Sequence, residues 1–219
     1  MTVSEGLRPS GSPAGTPGSC TSDFYVAQWE SEELVPEFLA GRDAATDPNW
    51  AASGAESAAE YARWAHHLCG VACLRMALAA LGRPVPSVHA LRREVQALGA
   101  YVEEADGVIR GLIYQGAVEW LTARGIPARI ALDEPTADIP AKLAAGALYI
   151  ASVHATIRTP DVTPPHRGGH LVLVFGQDGE GRLRFHNPSG HTEATRRDAR
   201  LPLADFARYH AERGIVIAP

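Results

Sequence analysis

Residues 69–82 read CGVACLRMALAALG and form the clearest element that the sequence predicts. Apolar side chains occur all round this segment and Arg75 is its only charged residue, a pattern typical of a buried helix rather than a surface helix. Gly82 follows as a C-terminal cap, and Pro84 stops the helix from continuing. We therefore predict a helix over residues 69–81 that lies in the core of the protein.

Residues 168–190 read GGHLVLVFGQDGEGRLRFHNPSG and predict an antiparallel hairpin. The runs 171–175 and 183–186 are rich in aliphatic and aromatic residues, and the DGE between them signals a tight turn. Because helices come first along the chain and strands follow, the sequence predicts an α+β fold with a mostly antiparallel sheet. The other predicted helices span residues 87–98, 113–124, 140–145 and 203–213, and residues 55–65 are compatible with a helix. Further strands are predicted over residues 128–132, 148–153 and 215–218, and residues 24–26 form a short β-like run.

Composition narrows the functional class. Of 219 residues, 46% are hydrophobic and 21% charged, which is ordinary for a globular protein. The net charge of -5 argues against nucleic acid as a partner, since nucleic-acid-binding domains are usually basic. No apolar run approaches the roughly 20 residues of a membrane span, and the N-terminus lacks a signal-peptide pattern. We expect a cytoplasmic protein without a membrane partner.

The N-terminal segment differs in composition from the rest of the chain. Residues 1–20 are dominated by Gly, Ser, Pro and Thr and contain few apolar side chains. Such a segment buries too little surface to offset the entropy lost on ordering, so we expect a disordered tail. Residues 21–219 are expected to form a single domain.

The three cysteines indicate catalysis or metal binding rather than a disulfide framework, because their number is odd and the expected compartment is reducing. Cys20 lies in the predicted tail. Cys69 stands at the start of the buried helix, where unpaired N–H groups and the helix dipole favour a thiolate and can stabilise an oxyanion. Cys73 lies one turn further along, and we interpret it as a small buried apolar residue.

His170 and Asn187 are predicted to be neighbours. His170 immediately precedes one strand of the hairpin, and Asn187 immediately follows the other. An Asn beside a His can fix its tautomer and ring orientation. The simpler interpretation is a loop-end histidine followed by the turn sequence Asn-Pro-Ser-Gly, and both can hold at once.

These two segments resemble a known family. Residues 69–82 resemble the nucleophile helix of the bacterial double-glycine leader (bacteriocin-processing) peptidases, which are relatives of papain, and 168–190 resemble the His strand, hairpin and Asp/Asn-Pro turn of the same family. The resemblance covers roughly residues 63–190 and implies a papain-like fold. It implies that Cys69 is the nucleophile, His170 the general base and later acid, and Asn187 the residue that orients the imidazole. The family more commonly has Asp at this last position.

The sequence departs from the family at the oxyanion site. The family places a glutamine six residues before the nucleophile, and this chain has Arg63 there. The positive charge of Arg63 could replace the glutamine, or the side chain of Gln115 or His67 could reach the oxyanion site. The neighbouring Trp64 is expected to lie in the protein core or in the wall of the substrate cleft. The backbone N–H of Cys69 remains a donor in every case.

A metal site is not expected. Residues 66–73 read HHLCGVAC, but Cys69 and Cys73 lie within one apolar helix and do not match the ligand spacing of structural zinc sites. The family mechanism requires no metal and no organic cofactor. The Pro-rich segment 158–167, which leads into His170, is expected either to border a substrate groove or to serve as a long connection.

Three functions remain open at this level. The first is a hydrolase that cleaves a peptide or amide bond through a thioester on Cys69. The second is an acyltransferase or peptide-forming enzyme that uses the same triad with an amine as acceptor. The third is a non-catalytic peptide-binding module, which the missing glutamine favours.

Overall fold

A computed structural model describes residues 23–218, so the tail predicted for residues 1–20, with Cys20, lies outside the described residues. The described residues form eight α-helices, five short 3-10 helices and eight strands. The helices are α1 (Val35–Leu39), α2 (Ala58–Ala65), α3 (Cys69–Ala80), α4 (Val88–Ala97), α5 (Tyr114–Ala123), α6 (Ile139–Ala144), α7 (Glu193–Arg196) and α8 (Leu203–Ala207). The strands are β1 (Tyr101–Glu103), β2 (Ile109–Gly111), β3 (Ala128–Ala131), β4 (Leu148–Val153), β5 (His170–Gln177), β6 (Leu183–His186), β7 (Ala199–Leu201) and β8 (His210–Ile217).

The main sheet has six strands in the order β3-β8-β4-β5-β6-β7, and every neighbouring pair is antiparallel. Strands β1 and β2 form a separate two-stranded sheet. The α+β architecture and the hairpin of β5 and β6 are therefore as the sequence predicts. Within residues 23–218, none of the helices combines the length and the apolarity needed to cross a membrane.

Both faces of the sheet are buried. Along β5, Leu171 and Leu173 belong to the core that contains α3, whereas Val172 and Val174 belong to a second core on the other face. This division follows from the alternation of side chains along a strand. It explains why residues 171–175 form an unbroken apolar run rather than an alternating pattern.

Helix α3 is the buried helix that the sequence predicts. Val71, Leu74 and Met76 are completely buried, and the helix packs against β5. Gly70 is required for this packing, because a Cβ on it would lie 2.6 Å from the Cβ of Leu112. The core thus fixes the position of the first turn of α3, which begins at Cys69.

Two sequence predictions fail. The run 24–26 forms no strand, and the ring of Phe24 instead packs edge-on against His186 at 4.8 Å. The helix predicted over 203–213 ends at Ala207, because the backbone from His210 onward joins β8 and pairs with Val153. The short β1–β2 hairpin is likewise absent from the sequence prediction.

The tight packing of Gly116 gives a prediction about stability. A Cβ at this position in α5 would lie 2.4 Å from the carbonyl oxygen of Leu98 and 2.5 Å from the backbone nitrogen of Ala100. Because backbone atoms have little room to move, Gly116→Ala should lower the free energy of unfolding by about 1–3 kcal/mol in urea titrations. Gly179→Ala, where nothing lies within 4 Å, is the matched control and should change it by less than about 0.5 kcal/mol. Equal values for the two variants would contradict the packing described for α5.

Buried histidines should make the fold sensitive to acid. The ring of His210 is completely buried, with Nδ1 2.9 Å from Thr136 Oγ1 and Nε2 3.0 Å from Tyr149 Oη, and burial lowers its pKa to about 4. As the pH falls, the unfolded chain binds a proton at this histidine near pH 6.5, whereas the folded chain does so only near pH 4. Stability from this group is therefore complete above about pH 6.5 and is lost as the pH falls toward 4.

The prediction is that the free energy of unfolding decreases between pH 6.5 and 4. His210→Gln should flatten this decrease by up to about 1.4 kcal/mol per pH unit. His166→Gln, the same change at an exposed histidine, is the control for the substitution itself. Urea titrations at several pH values measure the slope, and an unchanged slope in His210→Gln would contradict the assignment.

Candidate active site

Cys69 lies at the edge of a cavity of about 360 Å³ that His170 and Leu171 also line. The residue is half-buried at the N-terminus of α3, where the helix leaves backbone N–H groups without partners in the helix. The backbone N–H of Leu171 is close enough to the thiol to lower its pKa. The sulfur therefore lies beside the start of β5, against the residue that follows His170.

Asn187 holds the imidazole of His170. The ring Nε2 lies 2.8 Å from Asn187 Oδ1, and both side chains are buried, with 4% and 0% of their surface exposed. The hairpin produces this contact, because β5 and β6 pair with Leu173 opposite His186. The neighbours predicted from the sequence are thus brought together.

The hydrogen bonds around Asn187 define the tautomer of His170. Asn187 Oδ1 accepts the backbone N–H of Ser189 at 3.1 Å, so the oxygen and not the amide nitrogen faces this group. An acceptor oxygen requires Nε2 of His170 to carry the proton and to donate it. Nδ1 is then the basic nitrogen of the ring, as required of a general base.

The turn that carries Asn187 is anchored to the rest of the chain. The backbone N–H of Asn187 donates to Arg196 O at 2.8 Å, and the backbone N–H of Gln28 donates to Pro188 O at 2.8 Å. The side chain of Gln28 donates from Nε2 to Ala65 O at 2.7 Å. Gln28, which sequence reasoning missed, therefore links this turn to the segment that precedes Cys69.

Arg158 is a second residue that the sequence analysis did not single out. Its Nε and Nη2 donate to Ser189 Oγ at 3.0 and 2.7 Å, and that oxygen lies 3.1 Å from His170 Nε2. No carboxylate within residues 23–218 lies within 4.0 Å of its guanidinium. The site therefore contains an arginine whose charge acts on the cysteine and the histidine. The only sequence feature that pointed to Arg158 is its position at the start of the Pro-rich segment 158–167.

Burial dominates the protonation of the pair. Burial raises the pKa of the Cys69 thiol, although the N–H of Leu171 and the charge of Arg158 act to lower it. Burial and the charge of Arg158 lower the pKa of His170 to about 3. The resting pair is therefore a neutral thiol and a neutral imidazole, so the thiolate that the helix terminus alone would favour is not the resting state.

Arg63, at the position where the peptidases that the sequence resembles have glutamine, does not line the cavity with Cys69. It pairs with Glu103, and its Nη2 lies 3.4 Å from Gly107 O. An oxyanion contact from Arg63 would require this ion pair to break.

The other three oxyanion or cleft candidates also lie outside the lining of the cavity. Trp64 is buried against Tyr101, with ring centres 6.0 Å apart. His67 is half-buried, and its backbone oxygen accepts the hydroxyl of Tyr101 at 3.2 Å. Gln115 is exposed on α5.

Cys73 is completely buried, and burial raises the pKa of its thiol well above the ordinary value. It lies in the core that contains α3, as the sequence predicts. Among residues 23–218, no group of three His, Cys, Asp or Glu side chains is arranged to hold a metal ion.

Comparison with known proteins supports the fold. No protein-family model matches this chain, and neither does any curated protein sequence. Among solved structures, the chain is similar to the peptidase domain of Streptococcus ComA, a bifunctional ABC transporter involved in quorum sensing, with a TM-score of 0.50 and 18% identity over 70% of this chain and 93% of that one. A double-glycine motif protease from an AMS/PCAT transporter, solved with its leader peptide, gives a TM-score of 0.44 and 17% identity over 69% and 84%. The likeness to the ComA domain confirms the papain-like α+β fold.

The contact of Arg158 with the site gives a prediction about thiol reactivity. Because its positive charge lowers the pKa of Cys69, Arg158→Met should raise that pKa further. The rate of Cys69 alkylation by iodoacetamide, mapped by peptide mass spectrometry, should then reach its half-maximum at a higher pH. Arg208→Met, which removes an arginine paired with Asp205, should leave the curve in place. A curve that moves equally in both variants, or in neither, would contradict the role of Arg158.

Proposed function

We propose that this chain is a cysteine-dependent hydrolase that cleaves a peptide or amide bond through a thioester on Cys69. The observation that carries the proposal is that Cys69 and His170 line one cavity while Asn187 holds the imidazole in the tautomer of a general base. The peptidase fold of the ComA domain supports the same reaction class.

The first half of the reaction uses the neutral resting pair. His170 Nδ1 takes the proton from Cys69 Sγ as the sulfur attacks the carbonyl carbon of the substrate. The charge that develops on the carbonyl oxygen is stabilised by backbone N–H groups, for which those of Cys69 and Gly70, beside the sulfur, are the candidates. The imidazolium then gives its proton to the leaving nitrogen, the C–N bond breaks, and a thioester remains on Cys69.

The second half releases the acyl group. Nδ1 of neutral His170 removes a proton from water as the water oxygen attacks the thioester carbon. The C–S bond breaks, the sulfur regains the proton from the imidazolium, and a carboxylic acid leaves. The hydrogen bond to Asn187 keeps the ring in one orientation through both halves, which lowers the entropy cost of each proton transfer.

The proposal predicts which cysteine carries the reaction. When the protein is incubated with a tryptic digest of a bacterial lysate, mass spectrometry should detect new peptide termini. Cys69→Ala and His170→Ala should each reduce their formation by at least about 10³-fold, because the nucleophile and its base act as one unit. Asn187→Ala should reduce it less, since the proton chemistry of the ring remains.

Cys73→Ala is the matched control and should retain cleavage, because its thiol is buried away from the cavity. When glycinamide is added to the digest, products that carry glycinamide at the new C-terminus instead of a free carboxylate would assign the reaction to acyl transfer. An unchanged digest, or cleavage that survives Cys69→Ala, would contradict the proposal.

A further inference from the structure

One wall of the cavity carries polar groups that the proposed mechanism does not use. Tyr114 at the start of α5, Ser152 on β4 and Arg213 on β8 line the cavity together with Cys69. Arg213 is the only arginine, lysine, aspartate or glutamate among the lining residues that the structure describes. The lining of this cavity therefore supplies one exposed cation, in addition to the charge of Arg158 that acts on Cys69 and His170.

The three side chains converge. Arg213 Nη2 and Ser152 Oγ each lie 3.1 Å from the point where a Cβ on Gly168 would stand, so both border the same small space. The hydroxyl of Tyr114 is close enough to both for each to lower its pKa, against the raising effect of burial. A guanidinium and two hydroxyl groups thus lie close together near Gly168, and all three of their residues line the cavity.

Arg213 has no acidic partner of its own. Within the described part of the chain, residues 23–218, no carboxylate oxygen lies within 4.0 Å of its guanidinium. Its neighbour Glu212 pairs instead with Arg167, at 3.6 Å. Arg213 therefore presents an uncompensated charge to whatever occupies the cavity.

We propose that the part of the substrate that occupies this cavity carries a carboxylate, bound by Arg213 with the hydroxyls of Tyr114 and Ser152. The guanidinium matches the two oxygens of a carboxylate, and hydroxyl donors complete its hydrogen bonds. The inference rests on the proposed function, because it places the carboxylate beside the reactive sulfur.

A matched pair of electrophiles tests the proposal. Iodoacetate and iodoacetamide differ only in the carboxylate, and each forms an S–C bond with Cys69 and releases iodide. The ratio of their rate constants at Cys69, mapped by peptide mass spectrometry, isolates recognition of the carboxylate from the reactivity of the thiol. Arg213→Gln should lower the ratio of iodoacetate to iodoacetamide about tenfold, as expected for loss of one charge-assisted contact.

Further variants separate a bound carboxylate from long-range attraction. Tyr114→Phe and Ser152→Ala keep the charge and remove one hydroxyl each, so each should lower the ratio about two- to threefold. Arg213→Lys should restore only part of the ratio, because a lysine lacks the planar fork. Arg208→Gln, a surface arginine paired with Asp205, is the control and should leave the ratio unchanged.

The outcomes are distinct. A ratio that stays the same in Arg213→Gln, or that changes equally in Arg208→Gln, overturns the carboxylate site while the proposed function stands. A ratio that changes in Arg213→Gln but not in Tyr114→Phe or Ser152→Ala reduces the site to simple charge attraction and also overturns it. If neither reagent modifies Cys69 in the native protein, the proposed function fails, and the inference fails with it.

Discussion

The hydrogen bond between His170 and Asn187 is the constraint on which the site depends. It joins the beginning of β5 to the residue that follows β6, and both of its side chains are buried. Because Ser189 fixes which end of the carboxamide faces the ring, the bond also fixes the position of the imidazole proton. The hairpin, whose turn is anchored at Pro188 by Gln28, thus holds the ring with its proton on Nε2 and not on Nδ1.

The core supplies the other half of the site. Helix α3 carries apolar residues all round and Arg75 is its only charged residue, so the core sets the packing of its first turn and places Cys69 against β5. Burial makes both partners neutral, and the unpaired charge of Arg158 partly offsets this effect on the sulfur. The thiol of Cys69 therefore keeps its proton in the resting protein. Arg213 lines the cavity that Cys69 and His170 share.

The sequence predicts the parts of this arrangement that depend on local pattern. The buried helix, the β5–β6 hairpin and the contact of His170 with Asn187 follow from hydrophobic periodicity and turn residues. Contacts between distant segments leave no such signal: the bond of Arg158 to Ser189 and that of Gln28 to Ala65 each join segments far apart in the chain. For the same reason, the end of α8 is set by the pairing of His210 with β4, which no local propensity indicates.

The protonation of the His170 ring, measured by ¹⁵N nuclear magnetic resonance and assigned by comparison with His170→Gln, tests directly whether Asn187 fixes the imidazole proton on Nε2. We expect a proton on Nε2 and none on Nδ1, with the ring neutral from pH 8 down to about 4, since burial lowers its pKa to about 3. A ring with its proton on Nδ1, or one that titrates near the ordinary value of about 6.5, would contradict this expectation.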